Sequence, residues 1–417
     1  MRVLILSQYF WPETFPINTL VEHLEAAGAQ VTVLTGHPNY PDGAVFPGYR
    51  AASVRRESYG HQADVFRVPI ISRGRASAVR LAGNYLSFVL SASILGPWML
   101  RGRRMDVIFV YAPSPIVQSI PGMVLSRLKG AKLVTWVQDL WPQSLESTGF
   151  VTNKSLLTFA ECIVGWIYRS NDLLLGQSTA FVSAIRRLAG STPVEYFPNP
   201  GQASFTFADG NHPPRLALPA GFNVVFAGNL GTVQALETVL EAATILRAEP
   251  DVRFVLVGSG SRAGWVAEEV ERRSLRNVVV AGRFEPEAMP GILCQATAVL
   301  VSLNKSQMLS QTIPSKLQTY LACGKPILAS LDGEGADLVT TAGAGFASPA
   351  EDANALAENV LRLKRLSPNE RLRMGAAGRR FYDRHFQPHV LAEQLLARFR
   401  ELTNAESRPI HNPGARI

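Results

Sequence analysis

Cysteine is scarce in this chain of 417 residues: there are three, Cys162, Cys294 and Cys323, far apart. That spacing offers neither a disulfide framework nor a set of metal ligands, and each reads as a small buried hydrophobe in a reducing compartment. Charge is sparse too, at 18% of residues against 47% hydrophobic. A disordered chain would show the opposite balance, so large buried cores are expected, shared between two or three domains at this length. Nothing resembling a basic stretch, apolar core and cleavage site precedes the first strand, so no secretory signal is read. There is no GxxxxGK[ST], and neither half has a full GxGxxG after its first strand; GSGSRAG (258–264) follows a later strand. These absences argue against a P-loop enzyme and against a nicotinamide dehydrogenase.

What charge there is has an uneven distribution. The net charge is +8, and the first 200 residues hold eighteen basic against twelve acidic residues. Residues 50–104 carry ten arginines and only two acids, Glu57 and Asp64. A polyanion is therefore the expected neighbour of the first half. Nucleic acid is not favoured, since the basic residues lack interleaved aromatics and no nucleic-acid module is visible. Anionic lipid is favoured instead.

Short β-branched runs alternate with longer amphipathic segments. Arg2–Leu6, a helix carrying Leu20, Val21 and Leu24, a stop at Gly28 and Gln30–Leu34 make one strand–helix–strand unit. Buried-strand runs follow at 64–71, 106–111, 132–138 and 172–176. The pattern breaks over 199–221, rich in proline and glycine, then restarts at 222–228, 253–258, 277–281, 297–302, 326–330 and 343–347. Such alternation predicts parallel sheets covered on both faces. The expected class is α/β: an N-terminal Rossmann-like domain over 1–200, a linker over 201–220 and a second Rossmann-like domain over 221–385. A C-terminal helix over 386–417 packs back on the first domain, and the polar tail from Thr403 is read as frayed. Two such domains would face each other across a cleft at the carboxyl ends of their strands.

Arg80 and Arg101 bracket twenty residues without a formal charge. That length suits a transmembrane helix, but Gly83, Asn84, Gly96, Pro97 and three serines make it a poor one. A buried helix and an interfacial helix remain, and the flanking Arg73, Arg75, Arg80, Arg101, Arg103 and Arg104 suit the interfacial form. Peripheral attachment to the inner face of the cell membrane is expected.

The most specific stretch is SQTIPSKLQTYLACGKPILAS (310–330). Its PSK (314–316), YLACGKP (320–326) and ILAS (327–330) resemble the donor-site signature of glycosyltransferase family 4, enzymes of the GT-B fold. GNLGTVQALETVLEAA (228–243), VQDLWPQSLE (137–146), SQYFWPET (7–14), HPNYPDG (37–43) and MGAAGRRFYDRHF (374–386) extend the resemblance over nearly the whole chain. It is closest to a subgroup that adds deoxy or amino-deoxy sugars, such as fucosamine, in bacterial O-antigen, capsule or exopolysaccharide synthesis.

The resemblance implies a metal-independent transferase whose co-substrate is a nucleotide diphosphate sugar, UDP first among the donors, with no resident cofactor. The absence of any DxD agrees with the lack of a metal. The implied acceptor is a polyprenyl-diphosphate-linked saccharide. Donor-site positions fall on Gly228, Asn229, Gly231, Gln234, Arg283, Gln311, Ser315, Lys316 and Thr319. Free N–H groups at the helix start, with Lys316, suit a diphosphate. Several positions depart from the family. Gln311 and Thr319 stand where it has two glutamates, and Asn229 and Gln234 where it has Arg and Lys. Thr14 and Phe15 replace glycines after the first strand.

Asp139, after the 132–138 strand, is placed to orient or deprotonate the acceptor hydroxyl, or to cap the next helix. His37 could polarise the site or serve a turn, and Arg283 could meet the base or lie in solvent. Two other functions use similar parts: a nucleotide-sugar 2-epimerase, and a non-catalytic scaffold for polysaccharide assembly.

Overall fold

A computed structural model describes residues 1–74, 78–147, 153–201 and 216–404. The chain forms two compact units, one of residues 1–198 with the C-terminal helix from Pro388, the other Asn199–Gln387. Most of the proposed linker lies outside the described residues.

The first unit begins with β1 (Arg2–Leu6), α1 (Pro16–Ala26), β2 (Gln30–Thr35), β3 (Arg55–Tyr59), β4 (Ala63–Arg67) and α2 (Ala78–Met99). It continues with β5 (Val107–Ala112), α3 (Ile120–Lys129), β6 (Lys132–Val137), α4 (Gln143–Ser147) and α5 (Lys154–Arg169). β7 (Leu173–Gly176), α6 (Thr179–Ala189) and β8 (Val194–Tyr196) follow. The eight strands are ordered β3-β4-β2-β1-β5-β6-β7-β8, parallel except for β3, which runs antiparallel to β4. β3 and β8 had no apolar run to announce them: RRESY is an edge strand with no buried residue, and VEY is three residues long. The 64–71 run contributes strand only through Arg67.

α2, α3, α5 and α6 cover one face of this sheet through Phe88, Ala92, Leu125, Ile167 and Ile185. The other face packs against α1 and the C-terminal helix Pro388–Asn404, which bury Leu20, Leu24, Leu391, Leu395 and Phe399 over Ile5 and Phe109. That helix includes Thr403 and Asn404, the first two residues of the polar tail, and the rest of the tail lies outside the described residues. Cys162, on α5, is exposed rather than buried, and so is Cys294.

The second unit opens with β9 (Phe222–Ala227), α7 (Leu236–Ile245), β10 (Val252–Val257), α8 (Ala263–Arg272) and β11 (Val278–Gly282). α9 (Met289–Cys294), β12 (Ala298–Ser302), α10 (Gln307–Ser310), α11 (Ser315–Cys323) and β13 (Ile327–Ser330) come next. α12 (Glu334–Thr341), β14 (Gly345–Ser348), α13 (Ala353–Arg365) and α14 (Pro368–His385) complete it; the C-terminal helix is α15 (Pro388–Asn404). Its six strands are all parallel, in the order β11-β10-β9-β12-β13-β14.

Local chemistry sets the bounds of α11. Pro314, extended at φ −60°, ψ 134°, precedes the first turn, and Gly324 at φ +66° ends the helix in the left-handed region that glycine adopts without a Cβ clash. Pro326 then prevents the helix from resuming, and the chain enters β13. GSGSRAG has a packing explanation. A Cβ on Gly258 would fall 1.8 Å from the Gly228 carbonyl oxygen, and one on Gly260 2.5 Å from Leu230. These glycines let the loops after β9 and β10 lie backbone to backbone, tied by Leu230 N–H to Ser259 O at 2.8 Å.

Candidate active-site residues

The loops after the parallel strands of the second unit share one edge of its sheet, and α11 starts there. Lys316, in the first turn of α11, extends its ammonium over the Phe226 ring from β9, 3.8 Å from the centroid. The same ammonium donates to Gln234 Oε1 at 2.5 Å, and its stem lies so close to Gly228 that a Cβ there would come within 2.7 Å of Lys316 Cε. Burial pushes the Lys316 ammonium down to about 7, because removal from water penalises the charged form. Among the described residues no carboxylate pairs with it.

Gln234 is held in place by its neighbours. Ser302 donates to its carbonyl at 2.6 Å, and Asn304 pins the same loop by accepting from Ala235 N–H at 2.9 Å and donating to Thr232 O at 2.9 Å. A lysine at 234, as in the family pattern, would set two ammonium groups against each other; glutamine instead supplies an acceptor. Tyr320 accepts from Ala227 N–H at 2.9 Å and so joins α11 to the end of β9. Phe226, Asn304 and Tyr320 were not singled out from the sequence, although Tyr320 lies in the YLACGKP match.

Gly228, Asn229 and Ser315 are exposed, Gly231 is buried, and Gln311 and Thr319 are half-buried. Arg283 is exposed, just after the edge strand β11. The structure therefore joins Gly228, Gln234 and Lys316 by direct contact, with Ser315 adjacent in the same helical turn.

In the first unit Asp139 lies two residues beyond β6. Its Oδ2 accepts from Trp141 Nε1 and Ser144 Oγ, both at 3.1 Å. Burial pushes its carboxyl above the usual range, opposed by hydrogen bonds from Ser114, Ser144 and Trp141. His37 is placed differently from what its position after β2 suggested. It is fully buried, its Nε2 lies 2.8 Å from Ser53 O, and burial pushes its pKa down. In this arrangement the ring holds the 49–53 segment through Ser53 and Tyr49.

Glu13 was missed, although it lies inside SQYFWPET. Its Oε1 accepts from the Asn39 and Tyr40 N–H groups at 2.7 Å each, and Oε2 accepts from Phe10 N–H at 3.3 Å. It thus ties the loop after β1 to the loop after β2. Burial pushes its carboxyl up to about 7, against an ordinary value of about 4.3. A raised carboxyl favours the fold in its protonated form, so that stability is fully present below about pH 4.3 and is lost as pH rises through about 7. Thermal midpoints of the wild type and Glu13→Gln, measured between pH 4 and 8, should therefore diverge in the variant's favour as pH rises. Parallel curves would show that Glu13 titrates alike in the folded and unfolded chain.

The arginines of 50–104 divide into tied and untied groups. Arg67 is wholly buried, donating to Glu57, to the Trp11 carbonyl and to Gly36 O at 2.8 Å. Arg55 pairs with Glu57 at 3.0 Å; Arg56 and Arg103 both pair with Asp64 at 2.8 Å. Arg103 also lies over Phe66, so it is part of the β3–β4 edge and not an open membrane contact. Arg73 stands over Tyr40 and Tyr9, 5.1 and 5.9 Å from the ring centroids, and also leaves the membrane group. Arg80, Arg101 and Arg104 are exposed. Arg75 lies outside the described residues.

Two Rossmann-like units of this kind are the architecture of the GT-B class of proteins. Comparisons with known proteins agree. A family described as "Glycosyl transferases group 1" matches residues 221–365, and a "Glycosyl transferase 4-like domain" matches 17–200. The chain belongs to the glycosyltransferases built from these two domains, and it is a transferase. It is similar to WcaI of Escherichia coli K12, named as a colanic acid biosynthesis glycosyl transferase, with 28% identity over 78% of this chain and 82% of that protein. In fold it is similar to the sucrose-phosphate synthase of Thermosynechococcus elongatus (TM-score 0.68, 18% identity, 97% and 99% of the two chains). It is likewise similar to HepE of Anabaena, solved in complex with UDP (TM-score 0.63, 14% identity, 96% and 100%).

Proposed function

We propose that this glycosyltransferase moves a sugar from a uridine diphosphate donor to a lipid-linked saccharide in bacterial surface polysaccharide synthesis. An N-acetyl-fucosamine-like deoxy-amino sugar is the first candidate. The observation that carries the reading is Lys316: a desolvated ammonium that no carboxylate among the described residues pairs with, at the start of a helix and beside Gly228. Negative charge grows on the leaving diphosphate, and a positioned cation with free helix N–H groups stabilises it most where water is excluded. Those groups take the place of a metal ion in this reading, which assigns the enzyme no resident cofactor; transfer should proceed in the presence of a chelator. The names of WcaI, for its process, and of HepE with UDP, for its ligand, support the same reading.

In this assignment the second unit takes the donor. Gly228, Asn229 and Gly231 border the diphosphate, Gln311 and Thr319 meet the ribose hydroxyls, and Arg283 meets the base. The first unit takes the acceptor, with Asp139 as the group that receives the hydroxyl proton. The test is a panel of nucleotide sugars offered with and without a lipid-linked acceptor. UDP-sugar stabilisation and acceptor-dependent UDP release support the proposal. Epimer formation from donor alone would replace it with the epimerase, and absence of any nucleotide-sugar binding with the scaffold.

The reading also puts the enzyme at the cytoplasmic face of a membrane, for which α2 is the support. Leu86, Leu90, Ile94 and Trp98, each four residues from the next, form an exposed stripe, all more than half exposed. Val79 extends it by position and is 81% exposed. On the same layer α3 exposes Leu128, and α5 exposes Leu156, Phe159 and Trp166. Such a stripe, flanked by Arg80, Arg101 and Arg104, suits an interfacial helix on anionic lipid. Each arginine contributes about 1 kcal/mol near an anionic surface. Changing these three to glutamine should therefore lower affinity for anionic vesicles at least about tenfold, with neutral vesicles unaffected. High salt, which cuts the Debye length to about 3 Å at 1 M, should release part of the wild type. A wild type that ignores anionic vesicles at low salt would remove the membrane from the proposal.

A further inference from the structure

Arg73 is the charged group in the first unit that the membrane reading leaves without a purpose. Three aromatic rings form a shelf where the loops after β1 and β2 meet. Tyr9 stacks on Phe15 at 5.4 Å between centroids, and Tyr40 closes on both at 5.7 and 5.4 Å. The Arg73 guanidinium lies over Tyr9 and Tyr40. One amino group donates to the Tyr9 hydroxyl at 3.3 Å, and Arg73 N–H donates to Asn39 Oδ1 at 3.1 Å. Among the described residues no carboxylate lies within salt-bridge reach of it. The nearby Glu13 is turned to the Asn39 and Tyr40 N–H groups instead. A planar, half-buried guanidinium fixed by rings, which among the described residues makes one side-chain hydrogen bond, is suited to an oxyanion ligand.

Two neighbours say which anion. The loops that follow β1, β4 and β6 and carry Tyr9, Arg73 and Asp139 leave the same edge of the sheet, because these strands are parallel, and Tyr85 on α2 lies within electrostatic reach of both Arg73 and Asp139. The 70–74 segment also lies along the first turns of α2. Asn84 Nδ2 donates to Ile71 O at 2.5 Å, and Ile71 N–H donates to Ser87 Oγ at 2.9 Å. The exposed stripe, Val79 to Trp98, belongs to the same helix. Arg73 thus sits in a polar loop packed against the helix that carries the apolar surface, as the head of an amphiphilic ligand requires.

We propose that Arg73 binds the diphosphate of the acceptor, holding the carrier's head while its sugar meets Asp139 and its chain follows the α2 stripe. This rests on the lipid-linked acceptor proposed above and assigns the residue that would read its phosphates. The full-length enzyme is assayed in neutral detergent micelles with one sugar on a polyprenyl diphosphate and the same sugar on an uncharged alkyl chain of equal length. Arg73→Gln should raise the KM for the diphosphate acceptor about tenfold or more, the size of a lost charge-assisted hydrogen bond. The donor KM should stay in place, and the preference for diphosphate over neutral acceptor should collapse towards one. Arg73→Lys, which keeps the charge and loses the fork, should fall between. Unchanged thermal midpoints separate this from misfolding. Should Arg73→Gln misfold, Arg73→Lys alone must still reduce the preference.

Failure has distinct forms. A wild type that does not prefer the diphosphate acceptor overturns the acceptor assignment itself. A wild-type preference that Arg73→Gln retains overturns only the role of Arg73. A loss seen on anionic vesicles but absent in neutral micelles would return Arg73 to the membrane headgroups and also refute the proposal.

Discussion

Replacing Asp139 with asparagine lowers turnover about a hundredfold or more and leaves UDP affinity where it was. The substitution keeps the shape and one acceptor oxygen, so Trp141 and Ser144, which donate to Oδ2 at 3.1 Å, still find a partner. What it removes is the group that can take a proton. Burial holds the Asp139 carboxyl above the usual range, which makes it a better base than a solvated aspartate once ionised. Single-turnover transfer and nucleotide binding, measured on the same preparation, give the two halves of the result. Retained turnover would reduce Asp139 to an organiser of the 139–144 loop, and an unfolded variant would make it structural.

Loss of the Lys316 ammonium in Lys316→Ala weakens nucleoside diphosphate binding about tenfold or more, with little change for the free nucleoside. The Phe226 and Gln234 contacts are local to the ammonium, so the effect belongs to the phosphates and not to the base. The same residue gives binding a pH dependence. In the empty site the ammonium titrates at about 7, and a diphosphate beside it favours the charged form. Above pH 7 the wild type must therefore take up a proton as it binds, and its affinity falls as pH rises. Calorimetry in two buffers of different ionisation enthalpy measures that uptake directly. Lys316→Ala should show none from this residue, and equal losses of diphosphate and nucleoside affinity would place Lys316 away from the phosphates.

The parts of this protein that can be read from its sequence are those whose cause is local. The apolar runs of β1, β2, β5, β6, β9, β10, β12 and β13 are buried on both sheet faces, and burial of that kind leaves a continuous apolar signature. α11 could be bounded because Pro314, Gly324 and Pro326 act through their own backbone angles. The edge strand β3 left no such mark: its side chains are polar and it is held by pairing with β4.

Charge and polar contacts needed the tertiary structure. Ten arginines between 50 and 104 look alike in the sequence, yet Arg67 is buried, Arg103 is bound to Asp64 and Arg101 is in solvent. The exposed stripe of α2 was equally hidden, since twenty uncharged residues do not tell which face a sheet will cover. His37 and Asp139 both follow a strand, and only the tertiary packing shows that the first is fully buried. The local pattern by itself determined two α/β units and the bounds of α11. The pairing of Lys316 with Gln234, 82 residues apart, the clasp of Glu13 on Asn39 and the placing of Arg73 over Tyr40 were decided by the fold. Desolvation and hydrogen bonding depend on which distant segments meet, and no short stretch of sequence contains that information.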